Sequence, residues 1–205
     1  MGRSDRVANS EKPGGKKLLE GISFTYSTLS RWGLSHYDWK ADTTALEIGC
    51  KNGANVRLML ELAPEGHITG VDATEEYLEK SIRLNQKEAG SRCEILKASE
   101  EALPFGADTY DLVIAFDAIY YWKNLSRVFK EVQRVLKPGG MFIVNCEVSD
   151  PNVLWTKMEK EIRVYSAEEL RRFFVQYGFC EVKMERKKNA WVCVTGKKPL
   201  QMPQL

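Results

Sequence analysis

The sequence predicts an α/β fold, a doubly wound and mainly parallel sheet, and three observations carry that prediction. The first is the stretch Ala45–Asn55, Ala-Leu-Glu-Ile-Gly-Cys-Lys-Asn-Gly-Ala-Asn. An apolar run surrounds Glu47, glycines follow at 49 and 53, and an apolar helical pattern then runs through Val56, Leu58, Met59, Leu60 and Leu62. A strand, a tight glycine turn and a helix open a nucleotide-binding βαβ unit. Glycine lets the backbone turn sharply and approach a ligand without a Cβ in the way. The competing reading is a strand–helix turn that serves packing alone. The second observation is that strand-like and helix-like segments alternate from residue 44 onward, which calls for crossover connections and a parallel sheet. The third is the tail, where Phe179–Glu185 and Asn189–Thr195 are strand-like with no helix between them. A hairpin turning at Arg186–Lys188 places one strand antiparallel at the sheet edge.

In chain order, residues 1–16 are polar, with Pro13, Gly14 and Gly15, and read as a disordered arm. Residues 17–205 then form one domain. Leu18, Leu19, Ile22, Leu29, Trp32 and Leu34 mark amphipathic helix in a cap over 17–43, which either crosses the ligand cleft or covers a sheet edge. Strands are expected near 44–49, 67–72, 93–98, 110–116 and 140–147. Helices are expected near 54–63, 75–89, 124–136 and 166–177. Thr74 before Glu75 and Glu76 suits a helix start, and Gly90 a stop. Ser166 with Glu169 makes a capping box, and Gly178 ends that helix. The lysines at 183, 187, 188, 197 and 198 read as solvated charges that guard the sheet edge.

The 205 residues suffice for one sizeable core, and 43% hydrophobic with 28% charged residues is an ordinary globular balance. A net charge of +2 is too small to imply nucleic acid or an anionic membrane as an obligate partner. No apolar stretch reaches the ~18 residues needed to span a bilayer. Cys50, Cys93, Cys146, Cys180 and Cys193 are odd in number and contain no Cys-x-x-Cys pair. With two histidines in the chain, no metal site is expected, and the thiols read as buried and reduced in a cytoplasmic protein.

Three further stretches add specificity. His67–Asp72 reads as a second strand ending in an acid, and Asp72 lies where such folds place the carboxylate that holds ribose hydroxyls. Leu103-Pro-Phe105 precedes a buried-type strand, Tyr110–Phe116. Val135-Leu-Lys-Pro-Gly-Gly140 ends a helix before the apolar run Met141–Cys146. With Glu47, Gly49 and Gly53, this ordered set resembles the class I S-adenosylmethionine (SAM)-dependent methyltransferases. Within them it is most similar to the small-molecule branch that includes quinone-biosynthesis C-methyltransferases. The resemblance covers residues 28–197. It implies a Rossmann-like, seven-stranded, three-layer α/β/α fold with an antiparallel C-terminal edge hairpin. It also implies SAM as cofactor, a small-molecule methyl acceptor, and a monomer or homodimer. One position departs from the family turn, acidic-x-Gly-x-Gly-x-Gly: Lys51 stands at the middle glycine. Its side chain either crowds the amino-acid end of SAM, points outward, or pairs with the SAM carboxylate.

The resemblance also assigns residues. Gly49, Cys50 and Gly53 flank the methionine part of SAM, and Glu47 holds its ammonium. Asp72 and Ala73 meet the ribose, unless Asp72 caps the next helix. Ser99 and Glu100 meet adenine, or only start a turn. Phe116 and Asp117 lie near the methyl donor. Tyr120, Tyr121 and Trp122, facing Tyr26 and Trp32, wall the acceptor pocket or belong to the core. Glu147, Asp150 and Trp155 line the acceptor site or an ordinary loop. Methyl transfer runs on alignment and exclusion of water. Where an acceptor needs a base or a catalytic hydroxyl, Glu147, Asp117, His36 and Tyr121 are the candidates. Two rivals stand beside this reading. One is a methyltransferase-like interaction module with weak or lost SAM binding, kept open by Lys51. The other is a nicotinamide-dependent oxidoreductase, disfavoured because its Gly-x-Gly-x-x-Gly turn also requires glycine at 51.

Overall fold

The computed structural model describes residues 28–147, 163, 165–187 and 191–200. The arm at 1–16, the first part of the cap including Tyr26, the loop residues Asp150 and Trp155, and Lys188 of the hairpin turn lie outside the described residues.

Seven strands form one sheet: β1 (Thr44–Ile48), β2 (His67–Asp72), β3 (Cys93–Lys97), β4 (Tyr110–Phe116), β5 (Leu136–Glu147), β6 (Cys180–Lys187) and β7 (Trp191–Lys197). Their spatial order is β3-β2-β1-β4-β5-β7-β6. β1 to β5 pair in parallel, and β7 runs antiparallel to both β5 and β6. The expected hairpin is therefore present, but its antiparallel member β7 lies one strand in, and β6 forms the edge. The pairing explains why. Buried Val192, Cys193 and Val194 read as an interior strand, whereas β6 is exposed along most of its length. Among the described residues four helices connect the strands: α1 (Ala54–Leu62), α2 (Glu75–Asn85), α3 (Leu125–Val135) and α4 (Ala167–Gln176). Residues 28–34 are also helical.

Side-chain alternation along the strands builds a core on each face of the sheet. On one face, Val113, Ala115, Phe142, Val144, Val192 and Val194 meet Val128, Phe129 and Val132 of α3 and Leu170 and Phe174 of α4. Phe142 stacks on Phe174 at 4.9 Å, and Phe129 meets both rings edge-on at 5.4 Å. On the other face, Leu112, Ile114, Phe116, Ile143 and Cys193 meet Val56, Met59 and Leu60 of α1, and Leu34. The period of two in the strands and the apolar stripes of the helices produce this division.

Local chemistry sets the boundaries. Ser166 and Glu169 close the expected capping box on α4. α2 stops at Asn85, short of the expected 89, because the buried Asn85 amide turns inward to donate to the Gly53 and Ser81 carbonyls. β5 begins at Leu136, earlier than expected. Gly139, with φ 79°, lets the Lys-Pro-Gly-Gly segment exchange backbone hydrogen bonds with Lys198 while staying in the sheet. Lys198 is correspondingly no solvated edge charge. It is 8% exposed, and its ammonium donates to Asp108 Oδ1 at 2.7 Å and to the Leu136 carbonyl at 2.8 Å. Cys50, Cys93, Cys146 and Cys193 are buried free thiols as expected, but Cys180, on the edge strand, is exposed. No helix among the described residues is long and apolar enough to cross a membrane.

The helix at 28–34 is fitted tightly to the carboxyl ends of β4 and β5. The Asn145 side chain donates to the Leu29 carbonyl at 3.2 Å. A Cβ on Gly33 would lie 1.9 Å from Asn145 Nδ2 and 2.8 Å from the Phe116 ring. Gly33→Ala would ordinarily favour a helix. Here the buried clash dominates, and a loss of about 1–3 kcal/mol is expected from chemical denaturation.

Candidate functional site

Strand order reverses between β1 and β4, so the crevice beyond their carboxyl ends is where a ligand binds in such a sheet. β1 delivers Glu47 there. Glu47 is 0% exposed, between Gly70 of β2 and Ile114 of β4 in the register. Its Oε1 accepts from the Asn55 side chain at 2.8 Å, while Oε2 has no hydrogen-bond partner among the described residues. Burial pushes this carboxyl up to about 7, the Asp72 charge adds to the shift, and the Asn55 amide, Lys51 charge and Val56 N–H oppose it. A buried acceptor without a donor is costly, and a positively charged ligand group would relieve it.

The turn after β1 alternates its backbone, with left-handed φ at Gly49 (78°), Lys51 (49°) and Gly53 (77°). A Cβ on Gly49 would lie 2.9 Å from that of Ala118, and one on Gly53 would lie 2.2 Å from Ser81 Oγ. Gly53 thus lets α2 approach, a packing role beside the expected ligand role. Lys51 holds the left-handed conformation without being glycine, at about 1–2 kcal/mol. The amides of the turn are engaged within the protein. Gly49 and Cys50 donate to the Val71 carbonyl, Lys51 to Asp72 Oδ2 at 3.0 Å, Gly53 to the Cys50 carbonyl, and Ala54 to Asn52 Oδ1. Cys50 is buried, and burial together with Glu47 and Asp72 pushes its thiol up, so it stays protonated and unreactive.

Asp72, 8% exposed at the end of β2, uses Oδ2 for the Lys51 amide and Oδ1 for the Thr74 amide at 2.9 Å. It therefore anchors the turn and the entry to α2, and Thr74 at the helix start makes no side-chain cap. Ala73 beside it is exposed. Ser99 is exposed after β3, where its hydroxyl accepts from Glu101 N at 3.2 Å within a short turn, and Glu100 is half-buried.

Phe116 is buried against the helix at 28–34. Asp117 takes a left-handed φ of 46° and ties β4 to β5, its Oδ1 accepting from Glu147 N at 3.0 Å and facing the Tyr120 hydroxyl at 3.4 Å. Tyr120 also donates to the Glu147 carbonyl. The aromatic trio, a single 3₁₀ turn with its flank, is divided by exposure. Tyr120 and Trp122 are each 5% exposed and pack in the core, whereas Tyr121 is 55% exposed. Trp32 packs on the β6–β7 hairpin, its ring 6.2 Å from that of Trp191. His36 is tied down, with Nδ1 2.8 Å from the Trp32 carbonyl and Nε2 3.3 Å from Glu185 Oε2.

The structure thus brings Glu47, Gly49, Asp72, Phe116 and Asp117 to adjoining strand ends. It leaves Trp32 and His36 against the hairpin. Sequence reasoning did not find Asn55, whose contact to Glu47 spans a turn of unknown geometry. Nor did it find Asn145, though an amide inside the apolar run Met141–Cys146 was a readable signal. Among the described residues no cluster of His, Cys, Asp or Glu is suited to a metal ion.

Residues 46–144 match a family model described as a methyltransferase domain. Over that stretch the chain is similar to methyltransferase domains. Over 141 residues, 63% of the chain, it is 40% identical to the sterol 4-C-methyltransferase strm-1 of Caenorhabditis elegans, covering 37% of that protein. Over 153 residues, 67% of the chain, it is 31% identical to the demethylmenaquinone methyltransferase of Listeria welshimeri, covering 63% of that protein. The chain therefore spans less than two thirds of either relative. Among solved structures, a putative methyltransferase of Haloferax volcanii, in complex with the Trm112 methyltransferase activator, aligns with a TM-score of 0.74. It covers 88% of this chain and 93% of that one at 17% identity, a likeness of fold.

The buried Glu47 gives a pH signature. Its folded value of about 7 lies above the ordinary 4.5, so between these values the folded chain holds a proton that the unfolded chain has lost. Stability from this group is full at low pH and is lost as pH rises through 7. Glu47→Gln, which keeps the shape without the charge, is expected to exceed the parent in stability at pH 8 by about 3 kcal/mol. The gain should fade toward pH 4.5, the ordinary value for the group, as followed by urea unfolding across the range.

Proposed function

We propose that this protein is a SAM-dependent methyltransferase that methylates a small-molecule acceptor. The observation that carries the reading is the buried Glu47 carboxylate with one oxygen unpartnered at the switch point of the sheet. That group fits the ammonium of an amino-acid-bearing nucleoside, and Asp72 at the neighbouring strand end fits ribose hydroxyls. SAM, when bound, supplies a methyl group on an electrophilic sulfonium and leaves as S-adenosylhomocysteine.

The chain's own residues position and enclose. Glu47 fixes the amino-acid end, and its ionisation is favoured by the positive charge it receives. Asp72 offers its remaining lone pairs to the ribose while holding the turn. Ser99 and Glu100, one strand further out, stand where adenine would lie. Phe116 excludes water on the β4 side. Asp117 commits Oδ1 to the β5 backbone, and His36 is held by Trp32 and Glu185, so neither is the main agent of acid–base chemistry. Alignment of the acceptor supplies most of the rate. Tyr121, the exposed member of its trio, is assigned to the acceptor wall, with Tyr120 and Trp122 holding it from behind. The names of the sterol and demethylmenaquinone relatives support a lipophilic, ring-bearing acceptor. Four buried free thiols accord with a cytoplasmic setting.

Calorimetry with SAM, S-adenosylhomocysteine and NAD in parallel tests the cofactor. The first two are expected to bind and NAD is not; binding of NAD alone would overturn the reading. Asp72→Ala is expected to weaken SAM binding by about tenfold to a hundredfold, the scale of one or two charge-assisted hydrogen bonds.

For the acceptor wall, Tyr121→Ala is expected to lower turnover far more than SAM affinity, because misplacement by ~1 Å can cost ~100-fold. Equal losses in both, with Tyr121→Phe as the control for the hydroxyl, would remove Tyr121 from the acceptor site.

A further inference from the structure

The cofactor assigned above carries an α-carboxylate as well as an ammonium, and the carboxylate needs donors. In a glycine turn of this kind, backbone N–H groups are the obvious source. Here five of them are already engaged, those of residues 49, 50, 51, 53 and 54, each donating to a protein acceptor. Among the described residues, the charged side chains that stand with Lys51 at these strand ends are acidic: Glu47, Asp72 and Asp117. An anionic ligand group among them meets repulsion unless a cation stands nearby.

Lys51 supplies that cation. It is half-buried, and its backbone is fixed by the bond from its amide to Asp72. From the end of β1 its side chain reaches toward the end of β4, where the ammonium lies 3.5 Å from the Asp117 carbonyl. Its charge is also felt at Glu47. The ammonium therefore spans the crevice on the amino-acid side of the turn. An ammonium at this place can add a charge-assisted bond to a ligand carboxylate oxygen. The position is also one where a residue without a side chain would avoid the left-handed strain. Retention of strain beside a ligand crevice is a mark of a functional constraint.

We propose that Lys51 is a specificity residue, whose ammonium binds the α-carboxylate of the cofactor in place of the turn's backbone amides. This inference rests on the SAM reading above. It assigns to the chain a discrimination between cofactors that carry the carboxylate and analogues that lack it.

The test is a cycle in which protein and ligand are both varied. Dissociation constants for SAM and for decarboxylated SAM are measured by calorimetry on the full chain, on Lys51→Met and on Lys51→Arg. Thermal melts establish that each variant is folded. The parent is expected to prefer SAM by about tenfold to a hundredfold. Lys51→Met should lose that preference chiefly through weaker SAM binding, while Lys51→Arg should keep most of it. Raised salt should weaken the preference in the parent and leave Lys51→Met unchanged. Two results overturn the proposal while leaving the SAM reading intact: equal affinity of the parent for both ligands, or an undiminished preference in folded Lys51→Met. Should Lys51→Met fail to fold, the parent's own preference and the Lys51→Arg value decide in the same way. Failure of the parent to bind either ligand removes the SAM reading, and this proposal with it.

Discussion

A carboxylate sealed into an interior strand, β1, is the constraint from which the site follows. Glu47 has no solvent and has neighbouring strands on both sides. Ionised and alone it would cost several kcal/mol, so its surroundings must offer hydrogen bonds, a counter-charge or a proton. The chain provides each in part. Asn55 in the first turn of α1 gives one hydrogen bond, Lys51 gives positive potential, and the elevated proton affinity supplies the remainder. For Asn55 to reach back over Glu47, the chain must reverse within a few residues of β1. That reversal is what the left-handed residues 49, 51 and 53 accomplish. The sharp turn in turn leaves amides that must be satisfied, and Asp72 and Val71 at the end of β2 take three of them. The ligand crevice and the packing of β1 against β2 are thus one arrangement seen from two sides.

A second carboxylate is used in the opposite way. Asp117 is half-buried beside the β5 backbone, where a neighbouring strand end needs an acceptor for the Glu147 amide. With Tyr120 donating to the Glu147 carbonyl, both backbone polar groups of Glu147 are engaged by the segment after β4. The ends of β4 and β5 are thereby locked together, and Asn145 extends the lock to the helix at 28–34. Rigid strand ends are what a reaction governed by alignment requires. The two acids differ accordingly: Glu47 keeps one buried oxygen without a hydrogen-bond partner among the described residues, and Asp117 is given to the scaffold.

The legible parts of the fold were those written in short-range patterns. Short apolar runs gave the strands, Ser166 and Glu169 gave the start of α4, and the helix-free tail gave the hairpin. The place of Asp72 at the end of β2 was legible because an apolar run ended there in an acid. Features that depend on long-range partners were not. The entry of β7 between β5 and β6 is decided by which of two strands can be buried on both faces, and β6, with its charges, cannot. The early start of β5 needs the Lys198 backbone, some sixty residues away. The inward amide of Asn85 looks like an ordinary polar residue until Gly53 is seen to lie against it. The trio Tyr120, Tyr121 and Trp122 reads as one aromatic wall in sequence. Its 3₁₀ turn rotates successive side chains to different sides, so two are buried and one is exposed.

That rotation bears on how an acceptor can be gripped. A single exposed phenol beyond β4 cannot enclose a ring-bearing molecule, because a pocket must cover most of a ligand's surface to bind it. The opposing surface must come from elements that approach the carboxyl ends of β4 and β5. The helix at 28–34 is already seated there through Gly33, Phe116 and Asn145, and its far end is held to the edge strand by His36 and Glu185. The helix is thus fixed at two points, one on the crevice side and one on the hairpin side. The fit of one glycine against one buried amide therefore decides more than local packing, because it sets where the helix at 28–34 lies against the ends of β4 and β5.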